Sequence, residues 1–149
     1  MSLLKDINEA RKYLRTYKVG LLQAKAYRNL KQKTAEALKP YNITSVEWAF
    51  LGMVHEEKDG IRSNTLADIL GVEAPFVTSL AAKFEKEKIL KYVKDETDGR
   101  AKIIHLTEKG HELVVKLEAL LREESKKWLS GLSIREVITF VKVLQKLSD

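Results

Sequence analysis

Residues 64–80 read NTLADILGVEAPFVTSL, and this stretch decides the fold. Ala67, Gly71 and Val77 take the fifth, ninth and fifteenth places of a helix-turn-helix, with Leu66, Leu70, Val72 and Leu80 at its apolar sites. Each type has a task there. Ala67 is small where the second helix crosses it, Gly71 can adopt the positive φ of the turn, and Val77 fills the angle between the helices. A short helix over 64–70, capped by Ser63, is expected. A second follows over 74–88, whose first turn tolerates Pro75. Helix pairs that bind nothing can satisfy the same pattern, so the neighbouring residues must decide.

Working outward, i, i+3, i+4, i+7 spacing turns Val77, Leu80, Ala81 and Phe84 inward and leaves Pro75, Thr78, Ser79, Ala82, Lys83 and Lys86 outward. That outward face is small, hydroxylated and basic. Hydroxyls can bond bases or phosphates, and the lysines can reach a strand beside a groove, although Glu85 and Glu87 also suit an ordinary solvated face. Phe76 reads either as core or as a contact to thymine methyls. Residues 89–106, ILKYVKDETDGRAKIIHL, then form two strands around a polar tip, a hairpin that turns the helix pair into a winged helix. At the tip, Arg100 stands two residues after Asp98, with Lys102 on the returning strand. An arginine on a thin loop can enter a narrow, electronegative minor groove, and the carboxylate can orient its guanidinium through a bidentate pair. The competing reading is a plain Asp98-Gly99 turn with Arg100 in solvent.

The flanks are helical. Apolar residues recur from Leu3 through Ile7, Ala10, Leu14, Tyr17 and Leu21, predicting one long helix closed by Pro40. Thr44 and Glu47 open another, Thr107 caps a helix striped by Leu113, Leu117, Leu120, Leu121 and Trp128, and Ser133 with Glu136 forms a capping box for the last. The fold class is therefore mainly α with a small β component. A 149-residue chain of 44% hydrophobic and 32% charged residues suits one domain.

Composition also excludes much. There is no cysteine, hence no disulfide, thiolate metal site or thiol redox sensor. No apolar run approaches the ~18 residues that span a bilayer, so no membrane partner is expected and the chain reads as cytoplasmic. No two glycines are close enough for a phosphate-cradling loop, and after His111-Glu112 the second zinc ligand is missing because position 115 is Val115. With His55 and His105 distant in sequence, neither metal nor cofactor is expected, nor an enzyme. The net charge of +6 favours a polyanionic partner, but it is local: 1–39 holds ten Lys or Arg against three acids, and the remainder is close to neutral.

The stretch 64–110, with Leu66-Ala67, Gly71-Val72, Val77-Thr78, Asp98-Gly99-Arg100 and Leu106-Thr107-Glu108-Lys109-Gly110, resembles the winged-helix core of the MarR (multiple antibiotic resistance regulator) family. The resemblance implies a single domain over 1–149, with 1–40 and 107–149 as dimerisation helices and 41–106 as DNA-binding core. It implies a homodimer on double-stranded DNA, recognition helices in successive major grooves, wings in the minor groove, and repression relieved by a small effector. An apolar or aromatic effector would lie near Tyr13, Tyr17, Trp48 and His55, although aromatics at helical spacing also suit a core. The chain departs from the family at three places. Lys88 stands where glycine is usual, Tyr92 where a basic residue is common, and Glu73, a poor cap, where Ser or Thr is usual.

The dimer also follows from burial. A helix of over thirty residues outreaches a compact body of this size, and both ends of the chain carry apolar stripes. Ile7, Leu14 and Leu21 paired with Leu121, Trp128, Val137 and Val141 across a two-fold axis would cover them. The expected protein is a homodimeric regulator, a repressor, binding a pseudo-palindromic operator. The alternative is a winged helix used as a protein-interaction or dimerisation module, which the near-neutral charge beyond the first helix favours.

Overall fold

The structure, a computed structural model, describes residues 3–149 apart from the side chains of Leu3, Leu4 and Tyr13. Contacts divide the chain into a unit Met1–Ser45 and a unit Val46–Asp149. The first contains α1 (Leu3–Tyr13), α2 (Thr16–Leu38) and a 3-10 turn, Lys39–Tyr41, with Pro40 in its first turn. The single long helix expected here is broken instead at Leu14 and Arg15, where Arg15 is extended (φ −77°, ψ 113°). Thr16, Tyr17 and Val19, β-branched or aromatic, form helix less readily than the residues around them. The ladder restarts when the Arg15 carbonyl accepts from Lys18 N (2.9 Å) and Val19 N (3.0 Å).

The second unit holds the winged helix. After α3 (Ser45–Glu56) comes a strand the pattern did not announce, β1 (Ile61–Arg62), which runs directly into α4 (Ser63–Leu70). Ser63 is therefore inside the helix rather than its cap. Arg62 occupies the cap position without a side-chain bond, because sheet pairing delivers the chain already extended. Gly71 takes φ +65° and closes α4, with Val72 N returning to Ala67 O at 3.0 Å. α5 (Ala74–Lys86) then leaves at 110° to α4, within the ~90–120° of helix-turn-helix units. It stops two residues short of the expected end because Lys88 adopts φ +60°, and Ile89 N turns back to Phe84 O at 2.9 Å.

β2 (Leu90–Lys94) and β3 (Lys102–Leu106) form the expected hairpin, and β1 joins β3 on its other edge, giving an antiparallel sheet of order β1-β3-β2. The core lies between this sheet and the helices: Phe50 and Phe84 meet at 5.7 Å between ring centres, with Leu66, Val77, Ala81, Ile104 and Leu117 fully or almost fully buried. Thr107 caps α6 (Glu108–Trp128) by accepting from Gly110 N at 3.1 Å. Gly110 has to be glycine, since a side chain there would collide with the Ile89 carbonyl. Leu121, expected at a dimer face, is buried within the chain. α7 (Ile134–Ser148) opens with the expected Ser133–Glu136 capping box and buries none of its residues. Among the described residues no single helix is long and apolar enough to cross a membrane.

Candidate nucleic-acid interface

α5 is amphipathic as its spacing implies: Val77, Leu80, Ala81 and Phe84 are buried, while Pro75, Phe76, Thr78, Ser79, Ala82 and Lys86 are exposed. Phe76, 41% exposed, is not core. The Thr78 hydroxyl donates to Ala74 O at 3.2 Å, which leaves its oxygen lone pairs facing outward as acceptors. Glu73 at the cap position makes no side-chain cap bond, as its chemistry suggests.

Lys83 departs from the expected outward set. Its Nζ lies 2.9 Å from Oε1 of Glu47 on α3, and the pair is largely enclosed, with side-chain exposures of 33% and 8%. The ammonium of a long stem follows the nearest buried carboxylate rather than the direction of its Cβ. Lys86, one turn on, carries the exposed positive charge of this helix end.

The wing tip is ordered by two successive aspartates. Oδ1 of Asp95 accepts from Thr97 N at 2.9 Å and from Thr97 Oγ1 at 2.8 Å, and its other oxygen takes Arg62 of β1. These bonds, Thr97's before Arg62's, hold the Asp95 carboxyl down at about 2 although burial opposes them. Asp98 then uses Oδ1 to accept Arg100 N at 3.1 Å. Here the expectation needs correcting, because Asp98 holds the backbone of Arg100 and no ion pair joins it to the guanidinium among the described residues. A short aspartate reaches an amide two residues on far more easily than the end of a long side chain. Arg100 is exposed.

These parts converge. A cleft of about 620 Å³ is lined by Thr78, Ala82 and Glu85 of α5, by Asp98, Arg100 and Lys102 of the wing, and by Arg62 to Asn64 where β1 enters α4. Five of the expected residues thus share one concavity with Arg62, Asn64 and Tyr92, which the pattern had not assigned to it. Tyr92 is half-buried, its phenol pushed up by burial and then by Glu85, and Lys102 Nζ sits 5.4 Å from its ring centre.

Of the expected effector residues, Tyr13 and Tyr17 belong to the first unit and Trp48 and His55 to the second. Trp48 and His55 line a cleft of about 520 Å³ between α3 and α6. Tyr17 is 60% exposed on α2 in the other unit, and the Tyr13 side chain lies outside the described residues. His55 Nδ1 is 2.8 Å from His111 Nδ1, a pairing concealed by a separation of 56 positions in the sequence. Among the described residues no group of three or more His, Asp or Glu is arranged to hold a metal ion.

Two helices crossing at 110°, a three-stranded sheet and a hairpin directly after the second helix define a winged helix-turn-helix protein. A profile of the MarR family matches residues 41–101. The crystal structure of the S. aureus MepR–DNA complex is similar over 86% of this chain and 94% of its own, with 28% identity and a TM-score of 0.71. A MarR-family transcriptional regulator from Rhodococcus sp. RHA1 superposes with a TM-score of 0.81 at 19% identity, over 89% of this chain and 95% of its own. Wild-type E. coli MarR gives 0.74 at 19% identity, over 86% and 94%. Residues 41–101 thus match the MarR family, and the chain shares the fold of the MarR-family regulators it resembles.

Proposed function

We propose that this protein is a DNA-binding transcription regulator acting as a homodimeric repressor on a pseudo-palindromic operator, with release by a small apolar or aromatic effector. The observation that carries the reading is the single cleft in which the exposed face of α5 and the wing meet. The exposed face of α5 and the wing together suit a duplex. Thr78, Ser79, Pro75, Phe76 and Ala82 offer hydroxyls, methyls and an aromatic edge to a major groove, Lys86 and Lys102 supply phosphate contacts, and Arg100 is free to enter the minor groove. Tyr92 contributes a neutral phenolic donor. The S. aureus relative, similar over most of both chains, is a DNA complex.

The dimer is supported by apolar side chains left in solvent. Along α7, Ile134, Ile138, Val141, Leu144 and Leu147 recur on one stripe with exposures from 41% to 75%, and on α2 Leu21 and Leu22 are 69% and 67% exposed. Stripes of this kind call for a partner surface. In this reading 1–40 and 107–149 form the dimer and 41–106 reads DNA. The Trp48–His55 cleft is where an effector would act.

Selection of random duplex DNA by the purified protein, followed by affinity against salt, tests the proposal. The expected winner is an inverted repeat with half-sites about one helical turn apart and a steep salt dependence. Failure to enrich any sequence, with weak binding throughout, would transfer the fold to the protein-interaction class.

A further inference from the structure

Two charged side chains are buried among the described residues, Glu47 and Asp95. Glu47 belongs to the helix packing already described; Asp95 sits in the wing, and its partner Arg62 comes from the opposite edge of the sheet. Strand order is β1-β3-β2, and the register sets Arg62 across from Ile103 and Ile103 across from Val93. Residues opposite one another share a face, and Asp95, two positions after Val93 with its N–H on Ala101 O at 3.0 Å, continues that face. The Arg62 side chain therefore crosses over β3 to the base of the loop that carries Arg100. Its backbone immediately precedes α4.

Resting on the DNA-binding reading, we infer that Arg62 is a positioning residue: its bond to Asp95 ties the wing to the helix-turn-helix and so sets where Arg100 meets the duplex. The oxygens of Asp95 divide the work. Oδ1 builds the turn through Thr97, and Oδ2 makes the connection to Arg62. The bonds of Asp95 to Thr97 and of Asp98 to Arg100 N are internal to the loop, so they shape the tip without fixing its angle to α5. A guanidinium has five donors in a planar fork, so a fixed carboxylate also fixes the plane it approaches from. The Asp95 carboxyl, held down at about 2, stays ionised throughout the neutral range, so the tie does not come and go with pH.

The experiment combines Arg62→Met, Arg62→Lys, Arg100→Ala and the Arg62→Met/Arg100→Ala double variant on the duplex selected by the wild type. Amide exchange of Thr97 and Ala101 is followed in the free proteins. Arg62→Met is expected to weaken binding about 5- to 20-fold, and the double variant to bind no worse than Arg100→Ala alone, since a wing without its arginine has nothing left to position. Arg62→Lys should recover part of the loss, and exchange at Thr97 should quicken in Arg62→Met while the helical circular dichroism is unchanged. Losses that add fully would overturn the inference and make Arg62 an independent phosphate contact. Unchanged exchange would also overturn it. If the wild type enriches no duplex while Thr97 exchange still quickens in Arg62→Met, the DNA-binding reading has failed and the positioning role falls with it, leaving Arg62 a structural tie.

Discussion

His55 on α3 and His111 on α6 face each other through their Nδ1 atoms at 2.8 Å, with ring centres 5.0 Å apart. One ring must donate and the other accept, so the pair accommodates one shared proton at that contact and cannot hold two. Around it stand Lys91, His105, Glu108 and Glu112, which line the neighbouring cleft with His111. Burial, then the charges of His55, Lys91 and His105, pull the His111 pKa below its ordinary value.

Acid should therefore loosen the contact between α3 and α6. The native pKa of His111 lies below the unfolded value of about 6.5, so as pH falls the unfolded chain takes up this proton first. The stability this group contributes is complete above the unfolded value and is lost as pH falls through the native one. Denaturant unfolding at pH 7.5 and pH 5 should show the wild type losing stability on acidification and His111→Gln losing less. Equal losses in both proteins would remove the pair from the acid response.

Lys83 and Lys86 are one turn apart on α5 and should respond in opposite ways. Lys83→Met removes a partner of a buried Glu47 carboxylate and is expected to cost about 1–3 kcal/mol of stability, with little change in the salt dependence of DNA binding. Lys86→Met should leave stability within about 0.5 kcal/mol and lower the salt slope by about one. Denaturation and binding measured from 50 to 300 mM salt separate the two. A flattened slope in the Lys83 variant would return that residue to the interface.

What the sequence made legible was local. Ala67, Gly71 and Val77 are constrained by a turn only a few residues long, and Asp98-Gly99 marks the tip between two strands, so both were visible without the rest of the chain. What escaped depended on pairing at a distance. β1 has two residues and exists only through Ile103 and Ile104, some forty positions later. Arg62 and Asp95 are 33 positions apart, Lys83 and Glu47 are 36, and helical spacing, which directs Cβ atoms, cannot say where a long charged side chain ends. Asp98 and Arg100 were correctly joined but through the wrong atoms, because turn chemistry in an aspartate acts first on the backbone.

Lys88 stores strain that a single change should release. It holds φ +60°, a region that costs a residue with a side chain about 1 kcal/mol or more and glycine very little. Its carbonyl accepts from Thr107 Oγ1 at 2.7 Å, a bond that glycine would keep. Lys88→Gly is expected to raise stability by about 0.5–1 kcal/mol in denaturant unfolding, against the entropy that glycine adds to the unfolded chain. A loss of stability would mean that the Lys88 side chain contributes contacts exceeding the backbone strain.

Arg100 carries the sharpest test of the wing. Its amide is fixed by Asp98 while its guanidinium is exposed and joined to no carboxylate among the described residues, so its removal deprives the free protein of little. Arg100→Ala should leave denaturant unfolding within about 0.5 kcal/mol of the wild type yet weaken binding to the selected duplex by at least 1 kcal/mol, about fivefold or more. The loss should be greatest where the flank under the wing is A·T-rich, since a narrow minor groove concentrates the negative potential an arginine seeks. Asp98→Ala should weaken the same duplex less, because it frees the Arg100 backbone without deleting the charge. Unchanged affinity in Arg100→Ala would place the wing outside the complex and leave recognition to α5 alone.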